Sequence, residues 1–220
     1  MKKFYVKKEK KIKNNNLILT NLLKSKSHLG YSKKKTHPNS FDYLIGVRQN
    51  QSIINLDITV QSLLRVFRLL NMLICKSKRR EPKNIIIIAN DLKTQHFKKR
   101  IFSKKALYAF RKNRVFFHFI NKKWVGGALT NPKLNKYFKK TNLILAFNTI
   151  DDHLLIKESI ACGKPFASVI NTNTDPSLIQ YPILINDNNV KSTFFITEIF
   201  VKYFEHLADK IINAKLKKKI

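Results

Sequence analysis

The sequence contains little glycine, and this scarcity limits the nucleotide-binding motifs that it can hold. Only five glycines occur among 220 residues. They form neither a G-x-G-x-x-G nor a G-x-x-x-x-G-K-[ST] pattern, both of which need glycine so that phosphate can approach the backbone at the start of a helix. The sequence therefore argues against a dinucleotide-binding or phosphotransfer enzyme, and no cofactor or small-molecule substrate is expected.

Cysteine is scarcer still, which argues against a disulfide framework. Cys75 and Cys162 lie far apart in apolar helical patterns, so a reduced compartment is implied, and Cys162 is expected to be a small buried residue and not a nucleophile. The stretch that holds His28 and His37 contains no cysteine or carboxylate to complete a metal site, so no metal is expected. The acidic group Asp151–His153 is explained by helix capping, and no catalytic residue is predicted.

Acidic residues are outnumbered, with 13 Asp and Glu against 44 Lys and Arg, which gives a net charge of +31. So much like charge opposes compaction unless a polyanion neutralises it, and each phosphate contact releases counterions. Nucleic acid is therefore the expected partner, and the excess of lysine over arginine favours phosphate contacts over base readout. A membrane partner would need a basic amphipathic helix or an apolar span of about 18 residues. Neither pattern is recognised, so no membrane partner is expected.

Apolar runs that alternate with helical periodicity define the fold class. The four isoleucines of Ile85–Ile88 predict a strand buried on both faces, which is typical of a parallel central strand. Residues 17–208 are predicted to form one α/β domain, a Rossmann-like (flavodoxin-like) three-layer sandwich with a mainly parallel central sheet. Residues 1–16 and 209–220 are expected to be basic tails, and the first resembles neither a secretory signal nor a transit peptide. The predicted strands are Tyr43–Val47 and Ser52–Leu56, as a hairpin or as two short strands, then Asn84–Asn90, Val115–Ile120, Leu143–Phe147, Pro165–Ile170 and Tyr181–Ile185.

Helical spacing and capping residues predict the covering helices. A short helix is expected at Leu17–Leu23, followed by a loop over His28–Asn39. Asp57 is expected to cap the next helix, and Phe97–Phe110 is expected to be a basic helix. In the helix after Asp57, the predicted inner face consists of Val60, Leu63, Leu64, Phe67, Leu70 and Ile74. In a later helix, which is expected to end at Gly163, the inner face consists of Leu155, Ile156, Ser159 and Ile160. In the long terminal helix it consists of Val190, Phe194, Thr197, Val201, Phe204 and Ala208.

The stretch Trp124–Pro132 combines the only tryptophan with two of the five glycines. A chain so poor in glycine is expected to use Gly126-Gly127 where the backbone turns sharply or passes close to another group. Two interpretations remain open for Trp124: an aromatic plate for RNA bases on a basic loop, or a core tryptophan beside an ordinary turn.

The candidate RNA-contacting residues are cations and aromatic side chains in the loops and on the predicted basic helix. Excess lysine, with aromatic residues such as Trp124 and Tyr31 beside it, favours binding that is shape-directed and dominated by phosphate contacts. They are His28, Tyr31, Lys33, Lys34, Lys35, Arg48, Lys98, Lys99, Arg100, Lys104, Lys105, Arg111, Lys112, Arg114, Lys122, Lys123 and Trp124.

Several short motifs, in order along most of the chain, resemble the small-subunit ribosomal protein S2 family in its bacterial and organellar form. Lys123–Asn131, with Trp-x-Gly-Gly-x-Leu-Thr-Asn, and Thr172–Pro176, with Thr-Asn-x-Asp-Pro, are specific together. The other matching stretches are His28–Gly30 with Pro38-Asn39, Gly46–Arg48, Ile53–Asp57 with Thr59, Lys157-Glu158, Gly163–Pro165, Tyr181–Ile183 and Asn186-Asp187.

The resemblance implies a Rossmann-like fold and an architectural role that involves rRNA at the junction of head and body, beside neighbouring ribosomal proteins. This sequence departs from the family's pattern in three places. Only Pro132–Asn142 stands where the bacterial form carries a long helical hairpin, so that insertion is expected to be absent. Asn171 stands in place of the usual aspartate, and Leu184-Ile185 replaces Pro-Gly.

Three functional hypotheses follow. The first is a structural rRNA-binding protein of an organellar small subunit, mitochondrial by its Lys, Asn and Ile richness, with a plastid ribosome as the alternative location. The second is a nucleotide-dependent enzyme on a Rossmann-like sheet. The third is a free-standing RNA-binding protein.

Overall fold

The computed structural model describes residues 17–76, 81–89, 104–120, 124–131, 140–147 and 153–216. A five-stranded sheet and a three-stranded sheet, with five helices, make up this described part. In chain order the elements are a helix over residues 17–24 (α1), β1 (Leu29–Ser32), β2 (Leu44–Arg48), β3 (Gln51–Ile54), α2 (Leu56–Asn71), β4 (Lys83–Ile88), α3 (Lys104–Lys112), β5 (Val115–Ile120), β6 (Thr141–Ala146), α4 (His153–Ala161), β7 (Phe166–Ile170), β8 (Tyr181–Leu184) and α5 (Val190–Leu216).

The larger sheet has the spatial order β5-β4-β6-β7-β8, and every neighbouring pair is parallel. Its first strand, β4, lies between the second and third, which is the doubly wound order of flavodoxin-like folds. This confirms the predicted fold class. The interval 132–139, where a helical hairpin is expected to be absent, lies outside the described residues.

Side chains of successive strand residues enter two separate apolar cores, as the period of two requires. Ile85 and Ile87 belong to a core with α2, α3 and α5. Ile86 and Ile88 belong to a second core, with α4 and the loop that holds Trp124. All four isoleucines are fully buried, which confirms a central strand covered on both faces.

Three predicted inward positions point to solvent instead. Ile160 is 52% exposed, Val190 is 55% exposed and Phe194 is 45% exposed. At the end of α4 the chain turns away through Gly163, whose φ of +58° fits the predicted C′ position. In α5 the other four predicted positions, Thr197, Val201, Phe204 and Ala208, are buried, and Ile196, Phe200, Leu207 and Ile211 are buried with them.

The N-cap of helix α2 lies two residues before the predicted cap, Asp57. Asn55 is the N-cap, because its side chain accepts a hydrogen bond from the backbone N–H of Asp57. Asp57 itself lies in the first turn, where a negative charge complements the helix dipole. The predicted inner face is confirmed at Val60, Leu63 and Leu70, which are buried against the sheet.

Residues Leu56–Cys75, which are α2 with a following π-helical turn, are long and apolar enough by length and composition to cross a membrane. The interpretation that the sequence holds no apolar segment of that length is therefore wrong by the criterion of length and composition. The same residues cover the sheet with one face and expose Arg65 and Arg68 on the other.

The smaller sheet has the antiparallel order β1-β3-β2. The predicted hairpin is confirmed as β2 and β3, and its turn residues Gln49 and Asn50 have φ values of +49° and +62°. Positive φ at both turn positions is the type I′ geometry that matches strand twist. The predicted loop over His28–Asn39 is wrong in part, since it contains β1 and two 3₁₀ turns, Lys33–Lys35 and Pro38–Tyr43.

Helices α3 and α5 differ from their predicted bounds. Helix α3 begins within the predicted Phe97–Phe110 segment, whose residues 97–103 lie outside the described residues, and it continues to Lys112. Helix α5 continues to Leu216, and Ile211 is buried, so ordered packing extends beyond residue 208.

Candidate nucleic-acid interface

Three consecutive lysines form an exposed cationic turn directly after β1. Lys33–Lys35 is one turn of 3₁₀ helix, and all three side chains are exposed. A 3₁₀ helix has three residues per turn, so the three ammonium groups point in different directions around one axis. A short turn therefore presents positive charge over a wide arc, which suits a curved phosphate backbone better than a single ion.

Backbone and side-chain hydrogen bonds fix the position of this cationic turn. The N–H of Lys33 donates to the carbonyl of Asn50 in the hairpin turn, at 2.9 Å. Thr36 closes the turn, because its N–H donates to the carbonyl of Ser32 and its hydroxyl lies 2.7 Å from the Ser52 hydroxyl. The backbone of the three lysines is thus held in place by hydrogen bonds to the small sheet.

The hairpin places Arg48 beside the lysines. Arg48 pairs with Gln51, and Gln51 pairs with Ser32 on the other side of β3. Two strand spacings put Arg48 about 10 Å from Ser32 across the sheet. The exposed Arg48 side chain therefore lies at the same end of the small sheet as Lys33–Lys35.

Thr172, in the loop after β7, clamps the small sheet to the large one. Its hydroxyl accepts the N–H of Tyr31 at 2.9 Å, and its carbonyl accepts the N–H of His37 at 2.8 Å. Gly30 lies so close that a Cβ there would be 2.6 Å from Thr172 Cγ2. Close approach, and not a positive φ, is the reason for glycine at this position.

Asp175 makes a second joint between the same two layers. Its carboxylate accepts hydrogen bonds from Asn39 and from the N–H and hydroxyl of Ser177, and it lies 3.8 Å from His37 Nδ1. Burial acts to raise the pKa of Asp175, but the hydrogen bonds from Ser177 and Asn39 outweigh it and hold the pKa below its usual value. The hydroxyl of Ser40 adds a hydrogen bond to the carbonyl of Thr174.

The segment after β8 holds the chain just before β1. The Asn186 amide donates to the carbonyl of Lys26, and its backbone N–H donates to the carbonyl of Ser27. The Tyr31 hydroxyl donates to Asn188 at 3.0 Å. Together with Thr172, these bonds place the basic turn over the carboxyl ends of β7 and β8.

The amide of Asn171 donates to the carboxylate of the buried Asp187, and its oxygen accepts the N–H of Thr172. An aspartate at position 171 would place two carboxylates in contact. Asparagine therefore suits this joint without requiring a proton to be shared between acids.

Two aromatic candidates, His28 and Tyr31, serve mainly as parts of these joints. Burial lowers the pKa of His28, which disfavours its cationic form, and its carbonyl accepts the N–H of Ile54. Tyr31 is only partly exposed, and its hydroxyl is engaged with Asn188. The exposed lysines of the turn are therefore better suited to contact a phosphate than either aromatic side chain.

The loop that begins at Trp124 is turned inward. Trp124 is 7% exposed and lies in the second core, as in the core interpretation of this residue. Gly127 has a φ of +86°, and the carboxylate of Glu158 on α4 accepts the N–H groups of Gly127 and Leu129. A glycine turn of this kind is an anion-binding concavity, and here a side chain of the same chain fills it.

Residues of the motifs on which the family resemblance depends take part in these joints, among them Gly30, Asn39, Thr172, Asp175, Asn186 and Glu158. The sequence matches the family described as "Ribosomal protein S2" over residues 22–142 and 133–206. The chain belongs to the ribosomal protein S2 family. Its motifs therefore mark the places where the layers of an S2-family fold are fastened together.

Similar proteins named "Small ribosomal subunit protein uS2" occur in several bacteria. The chain is 26% identical to that of Ehrlichia chaffeensis, with 89% of this chain and 76% of that protein covered. It is 24% identical to that of Nitratiruptor sp., with 90% and 83% covered, and 23% identical to that of Dictyoglomus thermophilum, with 90% of each covered. The alignment to the Ehrlichia protein spans 240 positions, more than the 220 residues present here. That relative therefore contains segments with no counterpart in this S2-family chain.

A second basic surface of this S2-family chain lies on α3 and the turn after it. Arg111, Lys112 and Arg114 are exposed, and Arg114 occupies the left-handed region with a φ of +57°. Lys104 and Lys105 lie in the first turn of α3, but the structure does not describe their side chains. The other basic candidates of this region lie entirely outside the described residues: Lys98, Lys99, Arg100, Lys122 and Lys123.

Sequence reasoning missed two features of this surface. Tyr108 is 65% exposed, and the Lys112 ammonium lies 5.6 Å from the centre of its ring. The spacing of four residues on a helix was a signal for that pair. Phe116 in β5, predicted to belong to a buried strand, is 41% exposed because β5 is at the edge of the sheet.

Metal and thiol chemistry find no support in the described ranges. Within them, no group of three His, Cys, Asp or Glu side chains is close enough to hold a metal ion. Cys75 and Cys162 are free and partly buried, and burial raises the pKa of the Cys75 thiol. A raised pKa disfavours the thiolate that a nucleophile would need.

Proposed function

We propose that this S2-family chain is a structural component of the small ribosomal subunit and binds rRNA through the cationic turn Lys33–Lys35. The observation that carries the proposal is that three exposed lysines are held by hydrogen bonds near the carboxyl ends of β7 and β8. The net charge of +31 supports a polyanionic partner, and the family supports the small subunit as its location.

Phosphate contact, rather than base readout, accounts for the residues present. Lysine is a mobile point charge that can meet phosphates whose spacing varies along an RNA helix. Arg48, at the same end of the small sheet, adds a planar fork that can grip one phosphate bidentately. The arrangement therefore predicts shape-directed binding with a strong dependence on salt.

The test replaces Lys33, Lys34 and Lys35 by glutamine and measures binding to small-subunit rRNA at several salt concentrations. Each lost phosphate contact lowers the slope of log K against log salt by about 0.7 to 0.9, so the triple variant should lose about 2 to 3. The matched control replaces three exposed lysines elsewhere, Lys157, Lys202 and Lys210, and removes the same charge. An equal loss in both variants would assign the effect to net charge and contradict the proposed turn.

The finer location is also a proposal: a mitochondrial small subunit, at the junction of its head and body and beside neighbouring ribosomal proteins, with a plastid ribosome as the alternative. The Lys, Asn and Ile richness of the chain supports an AT-biased organellar genome. Sedimentation of organelle lysates provides the test, since the chain should travel with small subunits at low salt and leave them at high salt. Migration as a free protein at low salt would contradict this location.

A further inference from the structure

A groove of about 320 Å³ lies between α3 and the edge strand β5. Leu107 and Arg111 line it from the helix, and residues Val115–His118 line it from the strand. Among the described strands, β5 has a neighbour on one side only, so the groove opens along the edge of the large sheet. Its walls are mainly apolar, and its exposed cation is Arg111.

Two aromatic side chains in and beside this groove are exposed to solvent. Phe116 lines the groove with 41% of its surface exposed, and Tyr108 on the adjacent stripe of α3 is 65% exposed. Lys112 lies over the Tyr108 ring. The groove is thus lined by one exposed ring, Phe116 on β5, and one exposed cation, Arg111 on α3, and the adjacent stripe of α3 adds the ring of Tyr108 and the cation of Lys112.

Exposed aromatic rings near cations suit an unpaired nucleotide, because the rings can stack on its base and the cations can bind its phosphate. Single-stranded nucleic acid is bound where aromatic side chains stack on bases and a positive surface follows the backbone. None of the six described lining residues is acidic, so nothing among them repels a phosphate.

We propose that the α3–β5 groove holds an unpaired RNA nucleotide, with its base against Phe116 and its phosphate on Arg111. Tyr108 and Lys112 serve the next nucleotide along the strand. The inference rests on the proposed RNA-binding function but adds a different contact, because Lys33–Lys35 meets phosphates of any RNA form. A peptide strand added to the free edge of β5 is the other occupant that the groove could take; the cations favour RNA.

The experiment uses the full chain and two short RNAs of equal length, one single-stranded and one a closed duplex. Phe116→Ala should weaken single-strand binding about 5- to 150-fold, the range expected for one lost stacking contact, and leave duplex binding unchanged. Phe194→Ala is the matched control, since Phe194 is 45% exposed on α5. Arg111→Gln should lower the salt slope for the single strand by about 0.7.

Each outcome supports or overturns the inference. Equal single-strand affinity for the Phe116 and Phe194 variants overturns it, even if duplex binding through the lysine turn persists. Phe116→Tyr keeps the ring and should keep the affinity, which separates loss of stacking from loss of folding. If the Phe116 variant instead keeps its RNA affinity and loses a ribosomal protein neighbour, the groove holds a peptide strand. If the unaltered chain binds neither RNA, the proposed function itself fails.

Discussion

The carboxylate of Glu158 is the anchor of the glycine turn, and its replacement by glutamine tests that role. It accepts the N–H of Gly127 and, at 3.1 Å, the N–H of Leu129. Glutamine keeps one acceptor oxygen but turns an NH₂ group towards the second N–H. We therefore expect a loss of about 2 kcal/mol, the worth of one hydrogen bond to a charged group. For a chain of this size that lowers Tm by about 4 to 8 °C.

Thermal unfolding followed by fluorescence measures this directly, because Trp124 is the only tryptophan and lies buried at the start of the same loop. High ionic strength in the assay screens the repulsion among surface lysines. Glu205→Gln on the exposed side of α5 is the matched control, with the same chemical change. If both variants melt at the same temperature and the Trp124 emission does not move, the carboxylate does not hold the turn.

Two further substitutions test the joints between the layers. Gly30→Ala should cost about 1 to 3 kcal/mol through overpacking, since the new methyl group would lie 2.6 Å from Thr172 Cγ2, and chemical denaturation measures it. Gly46→Ala, which meets no atom within 4 Å, is its control, and equal costs would contradict the close packing. Because hydrogen bonds lower the folded pKa of Asp175 below 3.8, its contribution to stability is present above about pH 4 and disappears as the pH falls through that lower pKa. The stability difference between the unaltered chain and Asp175→Asn should therefore be constant above about pH 4 and shrink as the pH falls below that value, and a constant difference at lower pH would contradict it.

Local signals in the sequence were sufficient for the framework of the fold. Ile85–Ile88 predicted a strand buried on both faces, because unbroken β-branched residues bounded by polar ones leave no face for solvent. Gly163 predicted the end of α4, since that backbone position needs a positive φ. The resemblance of the motifs identified the family before any geometry was known.

Features that depend on distant residues were not predictable in the same way. Strand β1 exists through its pairing with β3, and four residues of mixed character do not signal it locally. The inward position of Trp124 depends on α4, which follows it by about thirty residues and supplies Glu158. Ile160 has the spacing of an inner residue, yet the chain leaves the core at that point, so periodicity gave the wrong face.

The carboxyl ends of parallel strands are where α/β enzymes bind their substrates. Here the ends of β7 and β8 are occupied by the chain itself, through Thr172 and Asn186 bound to the segment around β1. Polar residues at the positions where an enzyme would bind a ligand therefore form hydrogen bonds that hold the small sheet against the large one. What that layer presents outward is Lys33–Lys35, so the strand ends that support catalysis in other α/β proteins support an exposed cationic surface in this one.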